Sequence, residues 1–167
     1  MRSFFISGCF LAIALLTVVA GCRTSNTPAP SDVLPEGSLA VDRIRISAIT
    51  EFVPDPTAAD RVKIKTLVEL LNASGSATQA PCVLRFEFYE FQPRASDPRG
   101  RRLLIWPNQN LSDPDTNKEY WKEFLRGYEF FLPLEFSLER GRKYVLEANC
   151  LINQRRYSDF FNIQYQP

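Results

Sequence analysis

Hydrophobic residues recur at every second position along most of the chain beyond residue 39, with charged residues between them. In the clearest run, residues 62–70, Lys63, Lys65 and Glu69 alternate with apolar or β-branched residues. A period of two places the apolar side chains on one face of an extended chain and so predicts a half-buried strand. The predicted strands span residues 44–52, 62–70, 82–88, 101–106, 128–132, 144–150 and 157–165.

The segment from Asn108 to Gly127 does not alternate and is the least regular part of the chain. It fits either a capped helix of two or three turns ending before Gly127 or a long crossover loop held in place by Trp121. About seven strands with at most one short helix predict an all-β fold, an antiparallel β-sandwich over residues 39–167.

The first residues have a different pattern. Arg2 precedes a mostly apolar run from Phe4 to Ala20, the layout of a secretory signal segment. The run ends in Val19-Ala20-Gly21-Cys22, which resembles the lipobox of bacterial lipoproteins. The resemblance implies a signal peptide over residues 1–21, cleavage before Cys22 and a diacylglyceryl group on the Cys22 sulfur.

A lipidated Cys22 implies that the protein is attached to the membrane through its N-terminal acyl chains. The next residue is Arg23, not the aspartate that retains many lipoproteins in the inner membrane, so we expect the periplasmic face of the outer membrane. Residues 22–38 comprise the acylated cysteine and a proline-rich stretch, and they predict a flexible tether. The tether is either a leash that lets the domain reach into the periplasm or simply a disordered start of the chain.

The stretch from Leu138 to Cys150 has the pattern Leu-x-x-Gly-x-x-Tyr followed by alternate small or apolar residues. It resembles the tyrosine corner of immunoglobulin- and fibronectin-like Greek-key sandwiches, whose tyrosine hydroxyl bonds back to the preceding turn. The resemblance implies a structural role for Tyr144.

In a fibronectin-like order the third and sixth strands are antiparallel neighbours, which implies that Cys82 and Cys150 lie close together. We expect a disulfide between them, with two buried free thiols as the alternative.

Composition excludes several classes of function. The 20 Lys and Arg residues nearly balance the 19 Asp and Glu residues, so there is no electrostatic case for a nucleic-acid partner. The chain has no histidine, which removes the usual general base and the commonest zinc ligand. No nucleotide, hydrolase or Cys-x-x-Cys motif is present, and we expect no catalytic residues, no metal and no cofactor.

Four residues are candidates for contact with a ligand or partner: Trp106, Asp113, Asp115 and Trp121. Exposed tryptophans beside carboxylates would suit a cell-wall glycan, although tryptophans more often lie in a core. The acidic residues 113–119 depart from a calcium loop and are better explained as a solvated turn. A basic patch is formed by Arg94, Arg99, Arg101 and Arg102, diluted by Asp97.

Residues Asn72–Gly75 and Pro81–Tyr89 resemble the turn and the arginine- and tyrosine-containing strand of the outer-membrane lipoprotein of type VI secretion complexes, another small lipid-anchored sandwich. The resemblance covers about twenty residues. The sequence therefore predicts a non-enzymatic interaction or assembly module of the cell envelope whose partner is another envelope protein. The alternatives are a glycan-binding or enzymatic sandwich and the type VI secretion lipoprotein itself.

Overall fold

The computed structural model describes residues 40–57 and 61–166. The predicted signal peptide, the Val19-Ala20-Gly21-Cys22 lipobox and the tether up to residue 38 lie outside the described residues. The described part contains eleven strands and one helix. Their bounds are β1 Val41–Ile46, β2 Glu51–Pro54, β3 Val62–Asn72, β4 Ala77–Thr78, β5 Val83–Phe91, β6 Arg99–Ile105, β7 Gln109–Asn110, α1 Pro114–Tyr120, β8 Trp121–Lys122, β9 Gly127–Pro133, β10 Lys143–Ile152 and β11 Arg155–Gln164.

The strands form two antiparallel sheets, so the predicted all-β sandwich is confirmed. The first sheet has the order β1-β3-β9-β8, with β2 and β4 also paired to β3. The second has the order β11-β10-β5-β6, with β7 paired to β5. The predicted third and sixth strands, β5 and β10, are antiparallel neighbours.

The core lies between the sheets and is filled by the apolar row of each strand. Leu84, Phe86 and Phe88 of β5 are fully buried. Phe88 stacks on Tyr144 of β10 with ring centroids 5.1 Å apart. Each large apolar side chain of this kind contributes about 1.5–3 kcal/mol when it leaves water, so these rows are the main source of stability.

The predicted first strand is two strands in the structure. β1 and β2 pair with successive parts of β3, and a turn separates them. In that turn Thr50 N–H donates to the Ser47 carbonyl at 3.1 Å, and Ser47 N–H donates to the Leu67 carbonyl at 2.8 Å. Ala48, which continues the alternation in sequence, is therefore exposed and not inward-facing.

Three hydrogen bonds join the two sheets. The indole of Trp106, just after β6, donates to the Pro133 carbonyl of β9 at 2.8 Å. At the opposite edge, the Tyr157 hydroxyl donates to the Val41 carbonyl at 2.8 Å. Ile46 N–H donates to the Asp159 carboxylate at 2.7 Å. The first and last strands thus lie side by side, although they belong to different sheets.

The irregular segment contains the short helix α1, followed directly by β8. Asp113 caps the helix by accepting from Thr116 N–H at 2.8 Å, and Pro114 occupies the first turn. The buried Asn117 fixes the helix to the sandwich. Its amide donates to the Leu111 carbonyl at 2.8 Å and accepts from the Tyr128 hydroxyl at 3.0 Å.

The expected disulfide is absent, because Cys82 and Cys150 are free buried thiols. The register pairs Cys150 with Leu84, so Cys82 lies two residues away along the neighbouring chain. Diagonal neighbours of this kind are about 7–8 Å apart, whereas a disulfide requires Cα atoms within about 7 Å. A hydrogen bond with Cys82, together with burial, raises the pKa of the Cys150 thiol above its usual range.

Within the described residues, no helix is long and apolar enough to cross a membrane.

Candidate interaction face

The most unusual surface of the described residues is the side of the second sheet that points away from the core. We call this surface the outer face. Its residues alternate with the buried rows of β5 and β10 and continue onto β11 and β6. The outer face includes Arg85, Glu87, Tyr89, Ile105, Glu147, Asn149, Leu151, Arg156 and Phe160.

Two carboxylates lie side by side at the centre of the outer face. Glu87 of β5 and Glu147 of β10 are direct cross-strand partners. They are only 4% and 6% exposed. Like charges directly opposite one another on a sheet repel, and a buried charge without a partner is costly. The pair therefore requires nearby cations.

Arginines provide those cations. Glu87 accepts from Arg102 at 2.7 Å and lies 3.0 Å from Arg85. Glu147 accepts from Arg99 at 2.5 Å. Arg99 and Arg102 both belong to β6, so this edge strand reaches across to the carboxylates of the two central strands.

Two further groups complete this ion cluster. Asp97 holds the Arg99 guanidinium at 2.7 Å, and this hydrogen bond lowers the pKa of the Asp97 carboxyl to about 2. The Tyr89 hydroxyl donates to Glu87 at 2.9 Å. Burial, that hydrogen bond and the charges of Glu147 and Glu87 raise the pKa of Tyr89 to about 12.

The electrostatics of Glu87 set what the cluster can do chemically. Burial acts to raise the pKa of its carboxyl, but the hydrogen bonds from Arg102 and Tyr89 and the charges of Arg85 and Arg102 outweigh it. The pKa of Glu87 is therefore below its ordinary value, and the side chain is ionised at neutral pH. An ionised carboxylate already bound to arginine is a hydrogen-bond acceptor and does not supply a proton.

Large apolar side chains lie exposed on the same face. Ile105, Leu151 and Phe160 are 45%, 47% and 45% exposed. Phe160, Glu147, Glu87 and Ile105 are successive cross-strand partners, so one row across the sheet has an apolar residue at each end and the carboxylates in the middle. The outer face thus combines separate exposed apolar residues with fixed charges at its centre.

The four predicted contact residues have separate environments. Trp106 is buried and bonded to the Pro133 carbonyl. Trp121 is partly buried, packs edge-on against Tyr128 at 5.2 Å and donates to Glu123. The Asp113 carboxylate caps α1, and Asp115 is exposed in the first turn. Of the two tryptophans, one is thus buried and the other partly buried.

Tyr144 is buried at the start of β10, and its hydroxyl accepts from Glu139 N–H at 3.1 Å. This is a bond back to the preceding turn, the geometry of a tyrosine corner.

The predicted basic patch is largely paired with acids. Arg99 and Arg102 belong to the ion cluster, and Arg101 binds Glu90 at 2.7 Å. Arg94 lies in the turn before β6, with a φ of 63°.

Sequence reasoning missed the carboxylate pair. The alternation predicts only a half-buried strand over residues 82–88, and the expected disulfide places Cys82 beside Cys150. That placement implies a register two residues away from the observed one, and Glu87 would then face Val145. One feature of the sequence could have indicated the pair. Both glutamates alternate with the inward-facing residues of two strands that are predicted to be neighbours.

No group of three or more histidine, cysteine or acidic side chains able to hold a metal ion is present among the described residues. Comparison of the chain with protein-family models, with curated proteins and with solved structures finds no match.

Proposed function

We propose that this chain is a lipid-anchored lipoprotein of the cell envelope, on the periplasmic face of the outer membrane, whose sandwich is a non-enzymatic interaction or assembly module. The observation that carries the proposal is the outer face, with Ile105, Leu151 and Phe160 exposed around a fixed ion cluster. The partner in this proposal is another envelope protein, and the membrane attachment is the lipid on Cys22.

Rigidity supports a binding role for the outer face. Arg85, Arg99 and Arg102 are held by buried carboxylates, and the exposed apolar residues lie on regular strands of the second sheet. Side chains that are already ordered lose less conformational entropy when a partner binds, which favours affinity. A protein partner also fits the mixture of aromatic, aliphatic and arginine groups, which protein interfaces favour.

The chemistry of the cluster supports a role without catalysis. Glu87 is ionised and bound to arginines, and the Tyr89 hydroxyl titrates at about 12. Neither group has the pKa near neutrality that suits general acid or base catalysis.

A finer proposal within the same class is the outer-membrane lipoprotein of type VI secretion. Its support is the similarity of two segments. Asn72–Gly75 forms the turn between β3 and β4, with Gly75 at a φ of 78°, and Pro81–Tyr89 leads into and forms most of β5. Secretion genes beside the coding gene, and co-purification with a secretion membrane complex, would support this assignment. Their absence would contradict it.

The lipid anchor is tested by Cys22→Ser in the full chain. Removing the thiol removes the site of acylation, so we expect the variant to leave the membrane fraction and to lose the mass of the lipid. Cys9→Ser is the matched control, because Cys9 lies in the predicted signal peptide, and it should leave the mature protein unchanged. Unaltered membrane partitioning of Cys22→Ser would contradict the anchor.

A further inference from the structure

A small cavity opens at one end of the outer face, where β5, β10 and β11 lie together. Its volume is about 110 Å³, large enough for several heavy atoms, since one water needs roughly 10–15 Å³ of the same measure. Polar lining comes from two arginines and two asparagines, Arg85, Arg156, Asn108 and Asn149, and apolar lining includes Val83 and Leu151. None of the described lining residues is acidic.

One of the lining residues, Arg85, has a polar atom without a partner, although its side chain as a whole is 42% exposed. Arg85 Nε is buried and has no hydrogen-bond partner among the described residues. The guanidinium contacts Glu87 through Nη2 at 3.0 Å, which leaves the Nε–H donor unused. A buried donor without an acceptor is costly, so an occupant that accepts hydrogen bonds is favoured beside Arg85.

Charge and shape narrow the class of that occupant. Two guanidinium groups and two amides can all donate to an oxyanion, and a planar guanidinium binds a carboxylate or a phosphate through paired hydrogen bonds. Val83 and Leu151 beside them favour an anion on an alkyl stem over a strongly hydrated phosphate.

We propose that this cavity is an oxyanion site whose occupant is a carboxylate on a short apolar stem, as in an acidic side chain or the C-terminus of a protein. The identification of the occupant as part of a protein rests on the proposed function, whereas the oxyanion site does not. Leu151 then contacts the apolar stem next to that carboxylate.

The test is a titration of the ¹⁵N-labelled full chain in detergent with sodium acetate, at constant ionic strength set with sodium chloride. The Arg85 Nε–Hε resonance reports directly on the unused donor. We expect a saturable shift with acetate and none with acetamide, its neutral isostere. Propionate and butyrate should bind more tightly, by up to about fourfold for each methylene that becomes fully buried.

Two variants locate the site. Arg85→Gln, followed through the backbone amide resonances of the lining residues Val83 and Leu151, should weaken acetate binding about tenfold or more, since it removes a charge-assisted donor. Because Arg85 also contacts buried Glu87, Arg156→Gln is the second variant. It leaves the contacts of Glu87 intact, and acetate binding is then followed through the Arg85 signal. Arg101→Gln is the control, because Arg101 is 73% exposed, binds Glu90 and does not line the cavity.

The outcomes separate the alternatives. The absence of a saturable shift means a cavity that holds only water, and it overturns the oxyanion site while leaving the lipid-anchored interaction module intact. Tighter binding of inorganic phosphate than of butyrate overturns the carboxylate assignment. Equal weakening by the Arg85, Arg156 and Arg101 variants also overturns the site, because it indicates general charge attraction.

Discussion

The two outward surfaces of the sandwich both carry many charges, but they neutralise them in different ways. On the first sheet, opposite charges face each other directly across neighbouring strands. Arg45 is paired in register with Glu69, 2.6 Å away, and the two side chains are 55% and 14% exposed. Lys65 lies 3.8 Å from Glu51 and 3.9 Å from Glu129. Exposed pairs of this kind contribute about 0–1 kcal/mol each.

On the second sheet, like charges face each other, and the compensating groups come from elsewhere. The side chains of Glu87 and Glu147 are 5% and 7% exposed, and their partners Arg99 and Arg102 reach them from the edge strand β6. Removing one partner of a buried pair is far more costly than removing one of an exposed pair. The carboxylates at the centre of the second sheet are therefore more deeply buried than Glu69 and Glu129 of the first sheet, whose side chains are 14% and 16% exposed.

The largest difference is expected from removing one cation on each face. Arg99→Met keeps an apolar stem but leaves Glu147 buried and unpaired beside Glu87. We expect a loss of about 3 kcal/mol in the free energy of unfolding, measured by urea denaturation. Lys65→Met is the matched variant on the first sheet and should cost at most about 1 kcal/mol. Equal losses would remove the distinction between the faces.

A smaller effect on the free energy of unfolding is expected at acid pH, and it comes from Glu87. The folded-state pKa of Glu87 lies below its ordinary value of 4.5, so the unfolded chain binds more protons at this position. The stability that Glu87 contributes is thus fully present above about pH 4.5 and is lost as the pH falls through the folded value. Glu87→Gln should flatten the fall in stability below that pH, by at most about 1.4 kcal/mol per pH unit. Parallel curves for the two proteins would show that Glu87 is not favoured in its ionised form.

The smallest change is expected from the exposed phenylalanines. Phe160 on the second sheet and Phe131 on the first are 45% and 54% exposed. Because each ring is about half buried, Phe160→Ser and Phe131→Ser should each lower the free energy of unfolding by about 1 kcal/mol. A large loss for Phe160→Ser alone would mean that this residue serves the fold and would weaken its assignment to a binding surface.

Alternation along the chain was sufficient to predict the sandwich, because a buried face imposes a period of two on every long strand. It did not locate the break between β1 and β2, since Ala48 continues the apolar pattern although it lies in a turn. The helix was one of two open interpretations. Asp113 and Pro114 start it, and Trp121, expected to hold the alternative loop, forms β8 immediately after it.

The ion cluster was harder to predict because it depends on register and on a third strand. A shift of two residues between β5 and β10 decides whether Glu87 faces Val145 or Glu147. The arginines of β6 reach these carboxylates because the pairing of β5 with β6 shifts in register between Phe88 and Phe91. Alternation within a single strand does not reveal such a shift. Alternation alone therefore places Glu87 and Glu147 on the outward side of their strands and gives no indication that they are buried.

The central claim is that the outer face of the second sheet binds a protein partner at the membrane. The most direct test places the photoreactive amino acid p-benzoylphenylalanine at position 160 or at position 131 of the full-length chain, followed by irradiation of intact cells. We predict a discrete cross-linked adduct from position 160 and little or none from position 131. Equal adducts from both positions, or an adduct from position 131 alone, would contradict the claim.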